Sequence, residues 1–190
     1  MKKIILASTS PRRRELLKQA GISFDICPPD YEEHMENKLF SYEFIESIAE
    51  NKGKSVIKTI KDSAAVISAD TVVIYDNKIL GKPKNYEEAY TMLTTLKGKS
   101  HKVVTAVCVI DHDSGEKIFN TETSEVVFNN VADEEIKEYI NNFKPYDKAG
   151  SYGIQELPSN FVKEIKGDYD NIVGLPVRML IKMLEKIQLV

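Results

Sequence analysis

Strand-like and helix-like segments alternate along this chain, but two hairpin signals interrupt them, and that combination excludes a regular βαβ winding. Asp76-Asn77 sits between the runs Thr71–Tyr75 and Lys78–Leu80, and Asp113-Ser114-Gly115 separates the longer runs 101–110 and 116–128. Turn residues between strand patterns read as hairpins. A hairpin makes its strands antiparallel, whereas parallel neighbours need a crossover. The expected fold is therefore α/β, with a mixed sheet and flanking helices. The remaining strand patterns are 3–7, 23–27, 64–68, 152–155 and 161–165. The helix patterns open at Ser10-Pro11 and cover 41–60, 86–96, 133–143 and 176–187. Ser as N-cap, Pro at the first helical position and Gly21 as stop bound the first of them.

At 190 residues the chain suits one domain, or one domain of two lobes. With 42% hydrophobic and 29% charged residues it can bury a core. The net charge of −3 argues against a general nucleic-acid binder. That charge is uneven. Residues 1–14 hold Lys2, Lys3, Arg12, Arg13 and Arg14 with no acid, and residues 25–36 hold Asp25, Asp30, Glu32, Glu33 and Glu36. A basic segment and an acidic one suit a site that holds a polyanion together with a cation. No apolar run approaches the ~18 residues of a membrane helix. The opening residues read as a strand rather than a signal peptide. Cys27 and Cys108 lack metal-ligand spacing and read as small buried residues in a reducing compartment. The expected location is the cytoplasm.

Five segments could carry chemistry. In residues 6–14 a strand runs through a polar turn into a helix whose first turn holds three arginines. A helix N-terminus is a ready anion site, but basic residues there oppose the helix dipole, at roughly a few tenths of a kcal/mol each. Facing a phosphate would justify them, since guanidinium binds phosphate oxygens in bidentate fashion; a solvated basic face is the alternative. In residues 64–71 Asp70 stands at the end of an apolar strand, where a carboxylate caps a turn, pairs with a base, holds a metal or acts as general base. Gly81-Lys82-Pro83 could aim a lysine at a phosphate. Residues 147–155 and 167–176 are rich in Gly and hydrogen-bonding side chains, suited to recognition of a base or sugar or to plain turns.

Other motifs fail on inspection. Gly53-Lys54-Ser55 and Gly98-Lys99-Ser100 resemble the end of a P-loop, yet Ile48 and Leu93 stand where its first glycine is required. His34, His101 and His112 lack zinc spacing, and Ser8 has no evident Ser–His–Asp companions. Carboxylates with a hard cation remain the most economical chemistry.

Taken in order, LASTSPRRRELL, SADTVV, GKP, DKAGSYGIQ and GDYDNIVGLP closely resemble the Maf family of nucleoside triphosphate pyrophosphatases, from Leu6 to about Pro176. The resemblance implies two α/β lobes around a central cleft, related to the ITPase-like fold, often in a homodimer. It implies hydrolysis between the α- and β-phosphates with Mg²⁺ or Mn²⁺. Carried over by position, Asp70 corresponds to the general base or metal-binding acid, Glu33 to a second metal-binding acid, and Ser8, Arg13, Lys52 and Lys82 to the phosphate-binding set. Arg12, Thr71 and Gln155 resemble the trio that marks the branch acting on dTTP and UTP. Another branch acts on 7-methyl-GTP. Gly53 follows Lys52 where the family commonly has Ala, which softens the helix. Two rival functions stay open: a nucleotide-binding regulator of cell division without turnover, and a phosphatase that releases orthophosphate.

Overall fold

The computed structural model describes residues 2–32 and 39–187. Among them the elements run β1 (Lys3–Leu6), α1 (Pro11–Gln19), β2 (Asp25–Ile26), α2 (Tyr42–Ile57), β3 (Ala64–Tyr75), β4 (Lys78–Leu80), α3 (Tyr86–Leu96), β5 (Ser100–Asp111), β6 (Lys117–Phe128), α4 (Asp133–Phe143), β7 (Val162–Lys166), α5 (Tyr169–Val173) and α6 (Val177–Lys186). The seven strands form one sheet in the order β2-β1-β3-β5-β6-β7, with β4 also on β3. β1 is parallel to β2 and β3, and the pairs β3–β4, β3–β5, β5–β6 and β6–β7 are antiparallel. The mixed sheet expected from the two hairpins is present.

β3 organises the molecule. One of its edges pairs with β5 from Ala65 to Ile74. The other edge is shared: β1 covers Ala64–Ile67 and β4 covers Val73–Tyr75. Because β1 runs parallel to β3 and β4 antiparallel, their C-terminal ends, Leu6 and Leu80, face each other across residues 68–72. That gap separates two lobes. On one side, Ala65, Ile67 and Ala69 of β3 pack with Leu16 and Leu17 of α1 and Leu180 and Leu184 of α6. On the other, Val73 packs with Leu93 and Leu96 of α3 and with Ile136, Tyr139 and Ile140 of α4. The opposite face of β3, through Ala64, Val66, Val72 and Ile74, is covered by Ile45, Ala49 and Val56 of α2.

Three sequence expectations need correction. The strand expected over 64–68 does not stop there, since β3 runs unbroken to Tyr75 and places Asp70 mid-strand. The polar residues that suggest an end each find a partner instead. Ser68 donates to Ala49 O at 2.7 Å, Asp70 receives Lys52 at 2.7 Å, and Thr71 meets Thr105 at 2.9 Å. Residues 152–155 are not a strand. A 3-10 turn at Ala149–Ser151 leads with left-handed Gly150 and Ser151 into an extended Tyr152, and Glu156 N then folds back to Gly153 O. The loop read over 167–176 contains α5, capped by Asp168, which receives Asn171 N at 3.1 Å.

Gly53 has a role other than softening α2. A Cβ there would lie 2.7 Å from Ser68 Oγ and 2.8 Å from Ile110 Cδ1. Its absence lets the helix settle on the sheet, where contacts this close are otherwise forbidden. Lys52, the preceding residue, is thereby brought against β3.

Candidate active site

The gap beside β3 is a cleft of about 1170 Å³ whose walls include residues 7–13, Lys52, Asp70, Thr71, residues 79–82, residues 147–149 and Gln155. Side chains alternate along a strand. Asp70 accordingly turns to the α2 face and Thr71 to the α1 face, so one strand supplies a carboxylate and a hydroxyl to opposite sides of the same opening.

The turn after β1 delivers the basic segment. Ser10 caps α1 by accepting from Arg13 N, and Pro11 occupies the first turn, as the sequence indicates. Ser8 is buried against the cleft and its Oγ accepts from Ser10 N at 3.1 Å. Arg13 Nε donates to Gly174 O at 2.7 Å and Nη2 to Thr71 Oγ1 at 3.0 Å, which fixes the guanidinium plane over the cleft. Arg12 reaches the other wall, where Nη1 lies 3.3 Å from Asp147 Oδ2. Two of the three arginines that oppose the α1 dipole, Arg12 and Arg13, are thus held by acceptors across the cleft.

At the bottom lies a buried ion pair, Lys52 Nζ to Asp70 Oδ1 at 2.7 Å, with the two residues 6% and 3% exposed. A charge at that depth needs a partner. Lys82 extends from the turn after β4 and is exposed on the cleft wall, and Gln155 is exposed on the far wall. Every expected site residue in the described part of the chain therefore reaches the one cleft. Glu33 lies outside the described residues.

The structure adds residues that sequence reasoning left unassigned. Lys148 is buried in the far wall between Asp147 at 2.8 Å and Glu156 at 3.1 Å. Burial pushes the Asp147 carboxyl up, but the Lys148 ammonium and Arg12 guanidinium outweigh it and leave the group below its usual pKa. Density of motif residues at 147–155 is the signal that points to this wall. Behind it, His101 Nε2 lies 2.7 Å from the Tyr152 hydroxyl, and burial lowers the His101 pKa to about 4. Thr105 and Asn171, both fully buried, sit under Thr71 and Gly174. Nothing in the sequence distinguishes Thr105 from its apolar neighbours.

Comparison with known proteins follows the same lines. The model of the Maf-like protein family matches residues 3–187. A dTTP/UTP pyrophosphatase of Alkaliphilus oremlandii is 48% identical over 93% of this chain and 92% of its own. One from Clostridium botulinum is 46% identical over 97% and 98%. Among solved structures, a HAM1 protein from Coxiella burnetii superposes with a TM-score of 0.52 over 98% of this chain and 100% of its own. Its 14% identity makes that a likeness of fold alone. No helix of the described residues is long and apolar enough to cross a membrane.

Proposed function

The chain belongs to the Maf family, and from that premise we propose that it is a dTTP/UTP pyrophosphatase, cleaving these nucleotides to the monophosphate and pyrophosphate. The observation that carries the reading is the gap in the β3 edge. It sets a buried carboxylate, Asp70, at the bottom of a cleft walled by a helix N-terminus, Arg13, Lys52 and Lys82. A regulator that merely bound a polyanion would be weakened by a carboxylate there.

In this mechanism the α1 N-terminus, Ser8, Arg13, Lys52 and Lys82 hold the triphosphate. Asp70 orients a water and accepts its proton at a carboxylate oxygen as the water oxygen bonds to the α-phosphorus. The bond from that phosphorus to the bridging oxygen breaks, and pyrophosphate leaves with the electron pair. Lys52 fixes the Asp70 carboxylate, while the surrounding cations stabilise charge that grows on the leaving group. Arg12, Thr71 and Gln155 read the base.

The donor chemistry at Asp70 fits a divalent cation. Among the described residues no three His, Cys, Asp or Glu side chains gather as a cage. A hard carboxylate beside a phosphate site is how Mg²⁺ commonly binds, sharing its shell with substrate oxygens and water. Asp70 would hold the ion, with Glu33 as the second acid of the reading. Bound there, Mg²⁺ or Mn²⁺ supplies neutralisation of phosphate charge and polarisation of the phosphoryl oxygen. A cytoplasmic location and a homodimer belong to the same reading, on the family resemblance.

The test is a product assay on purified protein with Mg²⁺ or Mn²⁺ and UTP, dTTP, CTP, GTP and 7-methyl-GTP. The expected result is monophosphate and pyrophosphate from UTP and dTTP. Diphosphate and orthophosphate would overturn the bond cleaved, and turnover of 7-methyl-GTP alone would overturn the roles of Arg12, Thr71 and Gln155.

A further inference from the structure

Thr105 lies in the middle of β5, directly opposite Thr71 in the β3–β5 register, and is fully buried. A hydroxyl has one proton to donate and two lone pairs to accept with. Thr105 Oγ1 is 3.0 Å from the carbonyl oxygen of Asn171, which can only accept, so the Thr105 proton goes there. That carbonyl is well anchored. The Asn171 side chain donates to Val103 O at 3.0 Å and Ser124 Oγ at 2.9 Å, and its backbone N–H is held by Asp168 at 3.1 Å.

With its own proton committed, Thr105 can only accept from Thr71, whose Oγ1 is 2.9 Å away. The other acceptor within reach of the Thr71 proton is Gly174 O, more distant at 3.3 Å and already receiving Arg13 Nε at 2.7 Å. Arg13 Nη2 occupies one Thr71 lone pair from 3.0 Å. Thr71 therefore turns its proton and one lone pair into the protein. What remains to Thr71, a residue of the cleft lining, is one lone pair and no proton.

We infer that Thr105 is a positioning residue for base selection: by taking the Thr71 proton it makes Thr71 an obligate acceptor toward the nucleobase. This rests on the pyrimidine-nucleotide reading above. Uracil and thymine present an N3–H donor between two carbonyl groups. Cytosine presents a lone pair at N3, which an acceptor repels. Without the Thr105 hydroxyl, the Thr71 proton is released to rotate, and the distinction between the two kinds of base weakens.

The experiment compares kcat and KM for UTP and CTP in wild type, Thr105→Val and Thr105→Ser. Valine keeps the shape and removes the hydroxyl, while serine keeps the hydroxyl. The expected Thr105→Val result is a fall of roughly tenfold in the UTP-to-CTP ratio of kcat/KM, carried by KM, with the ratio restored in Thr105→Ser. A purely structural role would lower melting temperature and activity toward both nucleotides without moving the ratio, and that outcome overturns the inference. Wild type is also tested with N3-methyl-UTP, which needs no variant to fold. A loss of about 100-fold against UTP is expected, because the donor is gone; turnover equal to UTP overturns the inference. Wild type that cleaves neither UTP nor CTP overturns the activity reading and this inference with it. Wild type that prefers UTP, matched by a folded Thr105→Val, overturns this inference alone.

Discussion

The two ends of the cleft are built differently. In the proposed reading one end holds the triphosphate and the other the base; the phosphate end is assembled from the ends of regular elements. β1 and β4 end beside it, α1 presents its N-terminus, and Lys52 descends from α2 onto Asp70. The base end is made of irregular backbone, residues 147–155 and the turn after α5. A buried layer of neutral hydrogen bonds lies behind it: His101–Tyr152, Thr105–Asn171 and Asn171–Ser124. The contrast follows from what each end must recognise. Charge attracts a phosphate from many angles and distances. A base edge is distinguished only by donors and acceptors whose directions are fixed, and fixing them takes partners deeper in the protein.

If the phosphate end works by charge and proton transfer, its variants should lose rate. Asp70→Asn should lower kcat by about 10³-fold, within the range for removal of a general base, with the circular dichroism spectrum unchanged. Near-normal turnover in a folded Asp70→Asn protein would remove Asp70 from the mechanism. Lys52→Met should act on both rate and stability. Removing one member of a buried ion pair costs on the order of 3–5 kcal/mol, measurable as a lowered urea midpoint. Adding Asp70→Asn to Lys52→Met should recover much of that stability and none of the rate. A double variant as unstable as the single one would show that the pair does not carry the effect.

The base end should make stability respond to pH. Burial holds the His101 pKa near 4, below the 6.5 of an exposed histidine. The unfolded chain therefore takes up the proton first. The stabilisation is complete above pH 6.5 and is lost as pH falls toward 4. The full difference amounts to about 3 kcal/mol at 1.36 kcal/mol per pKa unit. Urea unfolding at pH 7, 6, 5 and 4.5 should show this slope in wild type and a shallower one in His101→Phe. Equal slopes would mean that His101 is accessible to protons in the folded state.

The same division governs what could be read from sequence. Ser10 and Pro11 announce the start of α1 because capping is a local interaction, and the two hairpins announce themselves through their turn residues. Asp70 stands out in the sequence as a candidate functional acid, but its place in mid-strand does not. The polar run Ser68–Thr71 looks like a strand end until Ala49, Lys52 and Thr105 are seen to satisfy it, and those partners lie far away in sequence. Tyr152 carries strand propensity, yet left-handed Gly150 and Ser151 and the turn at Gly153 leave it alone in extended form. Lys148 is legible only as one letter of the motif over 147–155, and Thr105 not at all, for a related reason. A lysine between two acids and a threonine among valines acquire a role only from what folding places against them.

Gln155 gives the finest division between the two ends. It is exposed and lines the same cleft as the charged network of Arg12, Asp147 and Lys148. In the proposed reading its amide serves the base and not the phosphates. Gln155→Ala should therefore raise KM for UTP and dTTP by about tenfold, the equivalent of a hydrogen bond worth roughly 1.4 kcal/mol, and leave kcat within a factor of about two. Being exposed, the residue can be removed with little change in melting temperature. Inhibition by pyrophosphate, which engages only the phosphate end, should be unaltered. A fall in kcat with KM unchanged would mean that Gln155 acts in the transition state, and the two ends of the cleft would then be coupled.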